Sequence, residues 1–425
     1  MNPLSKSKIS DIATSYAGGT PKRTVAGYYN GTIPWVKSGE INSVNIFSSE
    51  EKITDEGLRN SSAKLVEPGA ILVAMYGATA GKVGRLHIEA TTNQAVLSVR
   101  SKNSNVISND YLFWLLTFAS EELIKQCQGA AQPNLSKQLI DGYQILYPSI
   151  TEQQKIAEIL STVDKKIDLI DQKITETEKL KTGLMQKLFS EGVGVQDENG
   201  NWQPHTEFQD SPFGKIPKCW QPEILGNILD VASSKRIKRE EYVDEGVPFY
   251  RSKEIIQKSK HLSFTPEIFI SRERFDKISE KFGSPQKGDI LISAVGTIGA
   301  IYCVQNEEFY FKDGNLLWLR GIDKSELSSE FLECYLRSHT CQEMLANLSA
   351  GSSQSALTIV KLNKLPLIIP TEDEQKMIVS IISSVSKKIN LLKAQKHENQ
   401  LLKKGLMQKL LTGEWRVPVE ETEAA

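Results

Sequence analysis

The chain has 425 residues, a length at which one core becomes too large and two to four domains are expected. With 40% apolar and 24% charged residues against 16 prolines and 28 glycines, it is neither disordered, collagen-like nor low in complexity. Its 51 basic and 52 acidic residues leave a net charge of -1, so nucleic-acid contact has to come from local patches rather than from an overall basic excess.

The first residues carry no hydrophobic signal core, and the longest apolar run, 70–76, falls far short of the ~20 residues that span a bilayer. A cytoplasmic location is expected. Residues 1–147 read as a first globular part of mixed strand and turn. Basic residues stand at Lys22 and Arg23, and Lys37-Ser38 follows the aromatic Trp35. The run 70–76, behind a glycine turn, predicts a buried strand, and a helix is expected from Tyr111 to Gln126. Between them lies Gly77-Ala78-Thr79-Ala80-Gly81-Lys82-Val83-Gly84. This is not a nucleotide P-loop, because three residues separate Gly77 from Gly81 and Val83 stands where Ser or Thr would hold magnesium. Either it presents Thr79 and Lys82 to phosphate oxygens, or it is a hairpin that only reverses the chain.

Residues 148–190 form the first long helix. Ile156, Ile159, Val163, Ile167, Ile170, Ile174, Leu180, Leu184 and Leu188 step mostly by three or four, the period of one apolar stripe that needs a partner helix. Ser149, after Pro148 and three residues before Glu152, predicts a capping box. An acidic connector with three glycines and two prolines occupies 191–215. The second globular part, 216–369, carries Lys235, Arg236, Lys238 and Arg239, then Arg251-Ser252-Lys253, a strand-like run at 289–295, and Gly296-Thr297-Ile298-Gly299 without a lysine. A helix is expected from Phe331 to Asn347. Residues 370–412 form the second long helix, with a capping box at Thr371 and Glu374 and a stripe that includes Leu402 and Leu410. Its polar middle, near Lys396 and Asn399, is expected to be frayed or covered by another protein. Residues 413–425 are a tail.

These parts are two copies of one unit. At an offset of 222, residues 148–188 lie on 370–410 without a gap, with 20 of 41 positions identical and Gly-Leu-Met-Gln-Lys-Leu closing both. Weaker matches keep the same order: 33–41 with 247–255, 69–81 with 288–299, and 132–136 with 354–358. Equivalent stripes in one chain can satisfy each other as an antiparallel coiled coil. The seam is assigned to Ile156, Ile159, Val163, Ile167, Ile170 and Leu184 on one helix and to Ile378, Ile381, Val385, Ile389, Leu392 and Leu406 on the other. The expected fold is α+β: two globular mixed α/β domains joined by two long helices, with an internal pseudo-twofold repeat.

Enzyme chemistry is missing from this pattern. The five cysteines are odd in number and form no Cys-x-x-Cys pair, so they read as incidental free thiols, without disulfide framework or zinc site. The five histidines have no recurring carboxylate or serine partners, and the repeat pairs none of them, so no triad or metal centre is implied. An Asn/Asp-Pro-Pro-aromatic motif, which an adenine methyltransferase would need, is not present. Arg and Lys suit phosphates or guanine edges, and the amides of Asn93, Gln94, Gln132, Asn134, Asn315 and Gln354 suit adenine. Repeated in two globular units, these groups indicate recognition: residues near 20–40, 77–84 and 132–136, with counterparts near 235–255, 296–299 and 354–358, are expected to face DNA.

The doubled Pro-x-x-x-Glu-Gln-x-x-Ile helix, ending Gly-Leu-Met-Gln-Lys-Leu and in the second copy running on to Leu-Leu-Thr-Gly-Glu-Trp-Arg-Val, resembles the DNA-specificity subunits of type I restriction-modification systems over essentially the whole chain. The resemblance implies that each globular part is a target recognition domain for one half of a split, asymmetric DNA site. It also implies that the paired helices set the gap and dock two modification subunits, and that ATP-dependent restriction subunits join the assembly. On this reading the chain is not an enzyme and binds no cofactor, and S-adenosylmethionine, ATP and magnesium belong to the partners. The other reading is a coiled-coil scaffold for proteins, without sequence-specific DNA binding.

Overall fold

Two short runs, Ile71–Ala74 and Ile290–Ser293, are buried at every position. Successive side chains of a strand point to opposite faces, so Ile71 and Val73 enter one core while Leu72 and Ala74 enter another. In the second run Ile290 and Ile292 share one core and Leu291 lies in another. A strand covered on both faces needs an unbroken apolar run, which is the pattern read from the sequence. The computed structural model describes residues 3–42, 44–126, 134–212, 214–350 and 356–419.

The chain divides into two compact units, Met1–Asp171 with Ala394–Ala425, and Gln172–Lys393. In the first, a five-stranded sheet runs Ala13–Ala17, Val96–Ser101, Ile71–Ala74, Val83–Leu86, Asn45–Ile46, antiparallel except for the last pair. A three-stranded sheet sets Tyr29–Val36 between Lys52–Ile53 and Thr91–Thr92, the latter parallel. In the second unit a sheet runs Asp230–Ala232, Leu316–Arg320, Ile290–Ser293, Ile301–Cys303. Another runs Tyr242–Val243, Phe269–Ile270, Val247–Tyr250, Tyr310–Phe311, its last pair again parallel. The repeat therefore holds at the level of strand order.

Helix Asn109–Gln126 is buried almost all round its first two turns because it lies between the sheet and the first long helix. The expected helix from Phe331 to Asn347 is instead two, Ser329–Leu336 and His339–Ser349. Ser338 breaks it, since its hydroxyl accepts from Cys341 N at 3.2 Å and starts a new helix. Arg337 turns aside to donate to the Ile301 and Ser259 carbonyls.

The long helices are continuous over Ile150–Leu188 and Glu372–Leu411. The Glu-Gln pair at each start acts differently from a capping box. Gln153 accepts from Ser108 N at 3.0 Å and donates to the Val106 and Pro148 carbonyls. Gln375 repeats this with Ser328 N and the Glu326 and Pro370 carbonyls. Each glutamine thus pins a long helix to the start of a domain helix. The two glutamates receive the chain that follows the other long helix: Glu152 takes Arg416 and Val417 N, and Glu374 takes Val193 N, Gly194 N, His205 and Trp220. Both carboxylates are deeply buried, so they are committed to these donors and not to their own caps.

The apolar stripe serves two masters. Ile156, Ala157 and Leu160, with Met407, Leu410 and Leu411, complete the first unit's core, and Met185, Leu188, Ile378 and Ile382 do so in the second. Of the assigned seam, Ile167, Ile170, Ile389 and Leu392 are buried, while Ile159, Val163, Leu184, Ile381, Val385 and Leu406 are half-buried. Leu180 and Leu402 depart from the expected stripe and are exposed. Six residues from Ile174 to Leu180 turn the helix by 600°, about 120° away from the seam. The polar middle of the second helix is neither frayed nor bare, because Lys396 pairs with Asp171 and Asn399 donates to the Gln395 carbonyl at 2.7 Å. Lys403 pairs with Asp164 in the same unit, and Lys393 pairs with Glu178 at 2.7 Å in the other.

Candidate nucleic-acid interface

In both units the site is built at the end of the parallel strand pair. Val36 lies beside Thr92 and Tyr250 beside Phe311, and the next residue of the shorter strand donates its N–H back, Asn93 to the Val36 carbonyl and Lys312 to the Tyr250 carbonyl. The longer strand runs on into a helical turn, Ser38–Glu40 in one unit and Ser252–Ser259 in the other. Glu40 accepts from Lys37 N at 3.0 Å and Glu254 from Arg251 N at 2.8 Å, so the Lys-Ser-x-Glu and Arg-Ser-x-Glu patterns are a turn closed by its own glutamate.

The first unit gathers Lys37, Ser38, Asn42, Asn45, Phe47 and Asn93 around one open cleft. Lys37 Nζ lies 2.9 Å from Glu51 and 3.3 Å from Glu50, and Arg23 meets Glu51 at 2.6 Å while covering the Tyr29 and Trp35 rings. These two cations hold the Glu51 carboxyl below its usual range, Arg23 first and then Lys37. The pairs are solvent-accessible and each contributes only ~0–1 kcal/mol, so a phosphate can replace the carboxylate at little cost. Phe47 is 66% exposed and stacks on His87 at 4.5 Å, and His87 Nε2 is 2.8 Å from Asn45 Oδ1. The cleft therefore offers amides and an aromatic face beside two cations.

The predicted residues divide into those brought together and those used elsewhere. Thr79 does not reach outward: its hydroxyl donates to the Ser38 carbonyl at 2.6 Å and ties the glycine loop to the cleft. Lys82 is exposed but lines another groove, with Phe118, Glu121 and Lys125. Gln94 pairs with Thr20, Lys22 and Asn134 are exposed, and Gln132 lies outside the described residues. The glycine loop joins strand Ile71–Ala74 to strand Val83–Leu86, with Gly77 and Gly81 at φ 93° and 82°, which is the hairpin reading. In the second unit Arg251 is gripped by Glu254 at 2.6 Å and Glu267 at 2.8 Å, contacts that raise its already high pKa, and Lys253 also meets Glu267 at 2.8 Å. Ser252 donates to the Asn315 carbonyl at 3.5 Å. Thr297 accepts from Ser293 through its carbonyl at 2.5 Å and is exposed, as are Lys235, Arg236, Lys238 and Arg239. Lys235 Nζ sits 4.7 Å from the Phe282 ring and Lys238 pairs with Glu240 at 3.4 Å. Gln354 lies outside the described residues.

Sequence reasoning missed Asn42, Asn45, Phe47 and His87, which lie outside the segments matched between the repeats, and Lys312, which only the strand register aligns with Asn93. Among the described residues no group of three or more His, Cys, Asp or Glu side chains is placed to hold a metal ion.

This duplicated arrangement matches the type I restriction modification DNA specificity domain over residues 1–179 and again over 217–401. The chain belongs to this family. Two archaeal relatives from Methanocaldococcus jannaschii align along nearly the whole chain. The type I restriction enzyme MjaVIII specificity subunit is 26% identical, over 96% of this chain and 92% of the relative. The MjaIX specificity subunit is 28% identical over 96% and 93%. Solved structures share the fold. A chain from work on complex assembly and conformational transition of the type I R-M system has a TM-score of 0.63 at 18% identity, covering 98% of this chain and 99% of that one. The type I S subunit from M. genitalium has 0.54 at 16%, covering 97% and 99%. Among the described residues of this family member, no helix is long and apolar enough to cross a membrane.

Proposed function

We propose that this chain is the sequence-specific DNA-binding subunit of a type I restriction-modification complex, each globular part reading one half of a bipartite, asymmetric site. The observation that carries the reading is the duplicated turn at the end of the parallel strand pair, where a cation, a serine and a neighbouring polar residue recur in both units. The two long helices pair as an antiparallel coiled coil, set the gap between half-sites and dock two modification subunits. Two features support the docking. The leucines at 169 and 391 and at 180 and 402 are related by the repeat offset of 222, and all four are more than half exposed. In a repeated chain, equivalent patches fit two copies of one partner. Restriction subunits complete the assembly. The chain itself performs no catalysis, and S-adenosylmethionine, ATP and magnesium are bound by the partners.

Methylation-sensitive long-read sequencing tests this directly, in cells carrying the chain with its modification subunit and in cells lacking only the chain. A bipartite N6-methyladenine motif that vanishes with the chain is expected. Identical methylation in both, with an active modification subunit present, would overturn the proposal in favour of a protein scaffold, which the exposed helix leucines would also fit.

A further inference from the structure

Glu152 and Glu374 perform the same task in the two repeats, yet their side-chain donors differ in kind. Glu152 is held by Arg416, a fixed charge. Glu374 is held by His205, whose Nε2 lies 2.9 Å away, and His205 Nδ1 lies 3.8 Å from the sulfur of Cys219. His205 and Glu374 are almost fully buried, 4% and 1% exposed at their side chains, whereas Cys219 is exposed at a shallow groove edged by Gln203, Pro204 and Lys218. Closing the chain onto the helix requires only a donor to the carboxylate, as Arg416 shows in the first repeat. A thiol beside the imidazole is additional.

The order of atoms defines a chemistry. A carboxylate accepts only, so Glu374 takes the Nε2–H of His205 and leaves the Nδ1 lone pair turned toward the Cys219 thiol. A nucleophile, a base within reach and a third group orienting the base is the arrangement of an activated thiol. We propose that Cys219, His205 and Glu374 form a reactive-thiol site that takes low-molecular-weight disulfides and becomes covalently modified at Cys219. The sulfur of Cys219 attacks one sulfur of the disulfide, its proton passing to His205 Nδ1. The old S–S bond breaks as the new one forms, Cys219 is oxidised, and the departing half of the disulfide is reduced and takes the proton from His205 to leave as a thiol. Glu374 stabilises the imidazolium between the two transfers. This is a single stoichiometric exchange, independent of the DNA-specificity reading.

Burial, and then the Glu374 charge, push the Cys219 thiol up from its ordinary range, so at neutral pH it reacts through the base and not as a free thiolate. Among the other described thiols, Cys303 and Cys341 are buried and pushed up to about 12, and Cys334 is pushed up to about 11. Among the described residues the remaining titratable groups at the groove are Glu207 and Lys218, paired to each other at 3.0 Å.

The test is the release of thionitrobenzoate when the reduced full-length chain meets 5,5'-dithiobis(2-nitrobenzoate), with the modified cysteine assigned by peptide mass. The fast phase is expected on Cys219, is removed by Cys219→Ser, and slows at least about tenfold at pH 7 in His205→Gln. A fast phase on another cysteine would overturn the proposal even if His205→Gln did not fold. An equal rate in a folded His205→Gln chain would do the same.

Discussion

Glu152 illustrates how one side chain carries a large share of local stability. Its two oxygens accept from Arg416 Nε at 2.9 Å and Nη2 at 2.7 Å, and Val417 N adds a third bond. Arg416 holds the carboxyl below its usual range. A group whose folded pKa is depressed stabilises fully above its unfolded value, ~4.3 for Glu, and that contribution is lost as pH falls through the folded value. Arg416→Ala should therefore cost roughly 2–4 kcal/mol at neutral pH, because a nearly buried carboxylate loses its partner. The difference from wild type should shrink at pH ~3, where the carboxyl is becoming protonated in both. Denaturant midpoints at the two pH values measure it, and an equal loss at both would assign the effect to packing of the Arg416 stem. At the same scale, Thr79 shows how a residue chosen for its outward chemistry can be spent inward, bracing the Ser38 turn.

The long helices show why periodicity is a good guide to where a helix is and a weaker guide to what covers it. Ile156 and Ile378 obey the stripe but belong to the globular cores, and Leu180 and Leu402 fall off it by the angle of their spacing. Truncating Leu160 would open a cavity in a core, whereas Leu169 and Leu391 are more than half exposed. We expect Leu169→Glu combined with Leu391→Glu to leave stability within about 0.5 kcal/mol, while co-purification of the modification subunit falls at least about tenfold. Undiminished co-purification at two copies per chain would place docking on another surface. The salt links Asp164 to Lys403, Asp171 to Lys396 and Glu178 to Lys393 are exposed or partly so and contribute little each.

At the scale of the whole molecule, a unit is not a contiguous stretch of sequence. The first contains Met1–Asp171 and also Ala394–Ala425, and its core takes Met407, Leu410 and Leu411 from the far end of the chain. Exchanging 1–147 for the matching part of a relative should change one half of the methylated motif only. The exchange should succeed where the incoming helix corresponding to Asn109–Gln126 keeps apolar residues against Ile156, Leu160 and Met407. Sequencing of methylated DNA from cells carrying the hybrid checks this, and alteration of both halves would deny that the two parts read independently.

The repeat, the buried central strands and the two long helices were legible in the amino-acid sequence, because each depends on local periodicity or on comparison of the chain with itself. The cations at Lys37 and Arg251 were legible for the same reason, as they recur beside a matched aromatic. What only the tertiary structure decided are the partners. The capping boxes became clasps because Arg416 is 264 residues from Glu152 and His205 is 169 from Glu374, distances at which no spacing rule operates. The same applies to Cys219, His205 and Glu374, read one at a time as an incidental thiol, an unpaired imidazole and a helix cap. The fold brings them together, and the meeting of a thiol, a base and a buried carboxylate is a property of distance in space that sequence order does not encode.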